Sequence, residues 1–213
     1  MISAKTISKL ALVMVSSLFV SACSVIGIRS GTAEPPFVAL DRLGQIEIRS
    51  YGPLLAADTI VEGAEEDALN VGFSRLADYI FGNNSSARDI DMTVPVAKSS
   101  EQIAMTAPVV RESLEDGRYR IRFFMPSSYD LASLPQPNSR EIEIVAIPEQ
   151  QYAVIRYSGN YSITSSMERQ NELLSAIAAT PWQVSGPVST WFYDPPWTIP
   201  WLRRNEAAVP ISR

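Results

Sequence analysis

Two stretches of the chain carry the same pattern of apolar and polar positions. From Gln45 to Tyr51, Ile46 and Ile48 alternate with Glu47 and Arg49, the period of a strand with one buried face, and Tyr51-Gly52-Pro53 leads into a second apolar run from Leu54 to Val61. That is the pattern of a hairpin-like pair of strands. A helix is predicted next, over about 64 to 81: Glu65, Glu66 and Asp67 place negative charge in its first turn, Leu69, Phe73, Leu76 and Ile80 recur at helical spacing, and Gly82-Asn83 stops it. Further on, Tyr119, Ile121 and Phe123 alternate with Arg118, Arg120 and Arg122, which marks another half-buried strand.

The pattern then returns. Ile142-Glu143-Ile144 matches Ile46-Glu47-Ile48 at an offset of 96, with Pro148 near the place of Pro53. Tyr152 to Tyr157 follows as a strand, and a helix is predicted from 165, opened by Ser165 and Glu168 as a capping box and closed before Pro181. A duplicated unit of strand, strand, helix and strands predicts an α+β domain whose halves are related by a pseudo-twofold axis, with one helix packed on each.

The N-terminus has a different character. Lys5 and Lys9 precede an apolar stretch from Leu10 to Val20, which ends in Val20-Ser21-Ala22-Cys23. This is the layout of a signal peptide. Its ending resembles a bacterial lipobox, and Cys23 is the single cysteine of the chain, so residues 1–22 are expected to be removed and Cys23 acylated. Residues 23–36, with Gly27, Gly31, Pro35 and Pro36, form the expected tether, of which 24–36 have a root-mean-square reach of about 20 Å; residues 37–213 form the domain. Ser24 after the cysteine, by resemblance to Gram-negative lipoproteins, points to the bacterial envelope, on the outer membrane facing the periplasm.

Composition narrows the chemistry. The 213 residues include no histidine, which excludes a Ser-His-Asp triad, a Cys-His dyad and a histidine-ligated haem within this chain, and leaves a zinc site without its usual ligands. Beyond the N-terminus Lys98 is the sole lysine. Lys5 and Lys9 account for two of the 18 basic residues, so the remainder sets 16 against 23 acidic ones, a net of −7. With its arginines scattered, an acidic chain of this kind has no nucleic-acid footprint. Glu47, Glu143 and Glu206 are the carboxylates that an enzyme could use, and each is expected to be a solvated strand or loop charge.

Two motifs remain. Met92-Thr93-Val94-Pro95-Val96 recurs as Met105-Thr106-Ala107-Pro108-Val109, and the prolines place both copies at a sheet edge or bulge, where the methionines either face a cavity or fill the core. Trp182, Trp191, Trp197 and Trp201 are interleaved with prolines over one short segment, which suits a ledge that stacks a flat ligand or a stiff loop that covers the core.

Several of these segments carry a family resemblance. Ile48-Arg49-Ser50-Tyr51-Gly52-Pro53, Tyr79-Ile80-Phe81-Gly82-Asn83, Ile103 to Val109, Tyr193-Asp194-Pro195-Pro196-Trp197-Thr198 and Arg203-Arg204-Asn205-Glu206 together resemble the SOUL haem-binding protein family over about residues 37 to 212. The resemblance implies a distorted antiparallel β-barrel of two βαββ-type repeats with two packed helices. It also implies a tetrapyrrole held in an apolar cleft beside the first helix, on the face of Asn70, Phe73, Arg75, Ala77 and Asp78. Phe73 stands where the animal relatives lead one to expect methionine, and Asp78 where they lead one to expect lysine. A more distant resemblance, to effector-binding domains of the GyrI type, includes hydrolytic relatives.

The expected function is a lipid-anchored, non-catalytic binder of haem, another tetrapyrrole or a similar flat hydrophobe. Phe73, Ala77, Met92, Met105 and Trp197 would enclose the ligand, and Arg75 would meet a carboxylate. Histidine cannot ligate iron here, and the membrane is the expected partner through Cys23. The alternative of another class is a structural or protein-interaction lipoprotein whose cleft is filled by its own side chains.

Overall fold

The computed structural model describes residues 32–86 and 100–213. Its elements follow in the order β1 (Phe37–Leu43), β2 (Ile46–Tyr51), β3 (Leu54–Glu62), α1 (Glu65–Ile80), β4 (Asn84–Ser85), β5 (Val109–Ser113), β6 (Arg118–Phe124), β7 (Gln136–Pro137), β8 (Ile142–Ile147), β9 (Gln150–Tyr157), α2 (Ile163–Ile177), β10 (Gln183–Val184), β11 (Ser189–Phe192) and β12 (Asn205–Ser212). One antiparallel sheet runs β1-β2-β9-β12-β11-β5-β6-β3-β8, with β10 beside β12, and β4 pairs separately with β7. It curls into a half-barrel, so the α+β, distorted-barrel expectation is met.

The strand order makes the duplication visible. Leaving out β1, the path β2-β9-β12-β11-β5-β6-β3-β8 reads the same from either end once each strand is replaced by its equivalent in the other half. The pseudo-twofold axis therefore passes between β5 and β11, where Val110 lies opposite Trp191 and Arg111 opposite Thr190.

The expected β2–β3 hairpin does not form. Instead β2 pairs with β9 and β3 with β8, so each half contributes its first strand to the other half. The reason lies in Gly52-Pro53. A two-residue hairpin turn needs positive φ at its first central residue, and also at the second in the commoner type. Proline is restricted to negative φ, and Gly52 is not among the glycines at positive φ.

Sheet parity separates two kinds of core. On the helix-bearing face, Leu76, Tyr79 and Ile80 of α1 pack with Ala57, Val109, Ile121 and Phe123. Leu173 and Ile177 of α2 pack with Ile48, Ala153, Ile155 and Val209. Inside the curl, the alternate residues Ala56, Val110, Phe124, Val154, Trp191 and Ala208 form a third cluster.

Both helices form where the periodicity placed them, but α2 begins earlier than expected. Ser162 caps it, its hydroxyl accepting the amide of Ser165 at 3.2 Å, so Ser165 is a first-turn residue and not the cap. Three residues ahead, Ser162 offers the same side-chain chemistry with an extended backbone.

Helix α1 approaches β6 closely at Gly72. A Cβ there would lie 2.4 Å from Cγ1 and 2.7 Å from Cβ of Ile121. Gly72→Ala should therefore destabilise the protein by about 1–2 kcal/mol, the overpacking cost exceeding the gain in helix propensity. A urea midpoint unchanged or raised in this variant would show that the helix can lift without loss.

Candidate functional site

At the pseudo-twofold axis, on the helix-bearing face, a cleft of about 420 Å³ opens between the edge of α1 and the entry to α2. Leu69 and Asn70 form one wall, Asn160, Tyr161 and Ser162 another, and Arg111 of β5 and Arg203 complete it. Among the described residues, no carboxylate lines it. Arg111 is buried and pairs with Glu65 at 2.5 Å, so the first-turn acid predicted for α1 binds the sheet below it.

Arg203 is differently placed. Its Nε donates to the carbonyl of Thr198 at 2.7 Å, its Nη2 to that of Pro196, and its guanidinium lies 4.7 Å from the centre of the Tyr161 ring. These partners are neutral, so the charge is positioned but not neutralised. The Tyr161 hydroxyl donates to the Asp194 carbonyl, and burial pushes its phenol well above the ordinary range. It is held as a neutral donor in this wall.

The residues expected at the site are distributed as follows. Phe73 and Ala77 continue the Leu69–Asn70 edge of α1 toward its C-terminus, one and two turns on. Phe73 is 38% exposed and rests edge-on against Phe123 at 5.4 Å. Arg75 meets a carboxylate of its own chain, pairing with Glu141 at 2.8 Å, and donates to the Ile60 carbonyl at 3.2 Å. Asp78 accepts from Asn83 Nδ2 at 2.5 Å near the helix end. Met105 is exposed on a segment joined to that end by the Ile103 amide, which donates to the Ile80 carbonyl at 2.8 Å. Trp197, 64% exposed, is on the same loop as Arg203. Met92 and Cys23 lie outside the described residues.

The four tryptophans divide. Trp182 and Trp191 are buried in two different core clusters, whereas Trp197 and Trp201 face outward. The segment is thus neither wholly a ledge nor wholly a cover.

Glu206 overturns an expectation. It is fully buried inside the curl, where Arg49 bonds it through Nη1 at 2.8 Å and Nη2 at 3.2 Å, Arg204 Nε donates at 2.9 Å and the Tyr193 hydroxyl at 2.9 Å. Glu47 is half-buried and bonded to Arg49 at 2.5 Å, so it too is not simply solvated. Burial pushes the Glu206 carboxyl up, but the hydrogen bond and charge of Arg49, the charge of Arg204 and the Tyr193 hydroxyl outweigh it and hold the group below the usual carboxylate range. A depressed, fully bonded carboxylate is a structural ion pair, poorly suited to accepting a proton from a substrate.

A larger cavity, about 720 Å³, was not legible in the sequence. Its walls include Pro35, Leu54, Met125, Tyr129, Leu131 and Ile147, brought together from four separate segments. The chain at Ala33 and Glu34 forms part of its rim and is fastened there: the Ala33 carbonyl accepts the Ala107 amide at 2.9 Å, and Glu34 pairs with Arg204 at 3.0 Å. Among the described residues no cluster of acidic, cysteine or histidine side chains could hold a metal ion.

The family model described as "SOUL heme-binding protein" matches residues 32–210. The chain is 28% identical to Heme-binding protein 2 of Mus musculus over 133 residues, 62% of this chain and 60% of that protein, and 29% identical over the same shares to Heme-binding protein 2 of Homo sapiens. It thus spans about three-fifths of the length of these relatives. Among solved structures, the C-terminal domain of EcmrR superposes with a TM-score of 0.55 at 9% identity, covering 81% of this chain and 99% of that one, which shows a shared fold.

Proposed function

Since the chain belongs to the SOUL heme-binding protein family, we propose that it binds haem or a related tetrapyrrole along α1 and is a carrier or buffer and not a catalyst. The observation that carries this reading is Arg203, a positioned guanidinium without a carboxylate partner among the described residues, at a cleft walled by Leu69 and Asn70, one helical turn ahead of the exposed Phe73. A tetrapyrrole is a flat apolar ring with carboxylates on one side. The residues present fit both parts: Phe73 and Ala77 supply an apolar edge, and Arg203 supplies charge-assisted hydrogen bonds.

Haem, when bound, would supply its iron and its absorbance; the chain's own residues would hold it. Leu69, Phe73 and Trp197 exclude water from the ring, and Arg203 orients the carboxylate side. Met105 is the exposed thioether near the helix end, and no imidazole is available, so affinity rests on enclosure and charge more than on an axial bond. Asp78 lies eight residues beyond Asn70, about 12 Å along the helix, which places its charge at the end away from Arg203. In this reading the N-terminal segment, acylated at Cys23, holds the domain on the bacterial outer membrane.

Titration with haem should shift the Soret band and quench tryptophan emission. Arg203→Gln should weaken binding by roughly tenfold to a hundredfold through loss of the charged hydrogen bonds, and Phe73→Asp by at least about tenfold. Leu131→Asp, in the larger cavity, should leave it unchanged. If Leu131→Asp abolishes binding while the other two do not, the ligand occupies the larger cavity. If haem and porphyrin both leave spectrum and fluorescence unchanged, the binding reading fails and the interaction protein takes its place.

A further inference from the structure

A cavity of about 570 Å³ lies on the other side of Arg203, and its walls are unusual for this chain. Arg42, Arg156 and Arg203 line it together with Trp201, Gln45 and Tyr157, and among the described residues no carboxylate does. The acidic residues that neighbour it are engaged or turned elsewhere. Asp41 accepts the backbone amide of Arg42, Glu47, across the strand from Arg42, is bonded to Arg49, and Glu206, across from Arg156, is enclosed by its own cluster. Neither Arg42 nor Arg156 has an ion pair among the described residues, and both are exposed. In a chain with more acidic than basic residues, three guanidiniums thus gather around one hollow, with the neighbouring Glu47 and Glu206 already held by Arg49.

The loop beside it adds the second observation. Pro200–Leu202 forms a turn of 3-10 helix, and Trp201 is 73% exposed, with Trp197 and Leu202 also outward. The loop is braced from both sides: the Gly159 amide donates to the Pro200 carbonyl at 2.9 Å, and Arg203 binds the carbonyls of Thr198 and Pro196. The braced backbone holds the Trp201 indole outward, so its apolar area is offered to an external partner. Indole beside guanidinium is the composition of the bilayer interface, where the ring sits at headgroup level and the cation meets lipid phosphate.

The geometry points to a membrane-docking face: the Trp197–Leu202 loop and the arginine-walled hollow behind it bind the surface of an anionic phospholipid bilayer, independently of any anchor at Cys23. The contact is peripheral, as no helix among the described residues is long and apolar enough to cross a membrane. It shares Arg203 with the tetrapyrrole cleft and Trp197 with the proposed enclosure of the ring, whereas Arg42, Arg156 and Trp201 belong to the docking face alone.

The test uses the full chain with vesicles of brominated phosphatidylcholine, with and without phosphatidylglycerol, reading bromine quenching of the indoles. Because it reports proximity of the loop and not membrane association as such, a lipid anchor does not produce the signal. Quenching is expected in the phosphatidylglycerol vesicles, to fall with added salt, and to be weak in phosphatidylcholine alone. Arg42→Gln combined with Arg156→Gln should lower the docked-to-undocked ratio by roughly tenfold or more while the haem titration stays as in the parent chain. Equal quenching in both vesicle types, insensitivity to salt, or unchanged quenching in the double variant would overturn the proposal. A Cys23→Ser chain that still shows salt-sensitive quenching supports it, and failure of haem binding leaves it untouched.

Discussion

Glu206→Ala is expected to lower the free energy of unfolding by about 3–5 kcal/mol, because it removes one partner of a buried charge network and leaves the others in place. Arg49, itself buried, would lose its bidentate partner, and Arg204 and Tyr193 would each lose an acceptor. The effect extends to the N-terminal segment, since Arg204 also holds Glu34. Acid provides a second readout. The carboxyl is depressed in the folded protein, so its stabilisation is fully present above the unfolded value of about 4.3 and is lost as pH falls through the folded value. The parent and Glu206→Ala should therefore differ most near neutrality and converge in acid, as measured by urea unfolding across pH. A difference that stayed constant down to the acid limit would mean that the carboxylate charge contributes nothing.

Phe123→Ala is expected to cost a similar amount, about 3–5 kcal/mol, by cavity formation under α1. Phe123 is buried in the close-packed cluster that also holds Leu76, Tyr79, Ile121 and Phe192. It is also the platform on which Phe73 rests. A functional loss should thus accompany the structural one: at temperatures where the variant remains folded, its haem affinity should fall together with that of Phe73→Asp. Retention of full affinity in folded Phe123→Ala would mean that the Phe73 edge is not the ring's support.

Much of the frame was legible because local period and burial agree. Ile46 and Ile48, Ile121 and Phe123, and the 4-3-4 spacing of α1 each report a face that is buried along its whole length, and the repeat at an offset of 96 anticipated the symmetric sheet. Strand β1 was not anticipated. It is an edge strand exposed along almost its whole length, so no core selects an alternation in Phe37–Leu43. The β2–β3 pairing was misassigned for a related reason: adjacency in sequence suggests a hairpin, while the choice of partner depends on the dihedral angles available at Gly52 and Pro53.

At the site the division is sharper. The residues of α1 could be found from helical spacing and family motifs, because neighbours at three and four positions share an edge wherever the helix is placed. Arg203 stood within a quoted motif without a role, and Arg111 carried no signal at all. Their significance depends on which groups surround them, and those groups are Glu65 at Arg111 and, at Arg203, the neutral carbonyls of Thr198 and Pro196 beside the helix entry at Ser162. Glu206 shows the same limit in reverse, since a glutamate in a strand looks solvated until the fold encloses it with Arg49, from a strand 157 residues away in sequence. Sequence by itself determined both helices, the strands with a buried alternation, the duplication, the family and the absence of a histidine ligand, all properties of local period or of composition. The tertiary structure alone decided which charges are neutralised and which are left open, because electrostatic balance depends on distance and burial, and those are set by chain segments that the sequence keeps far apart.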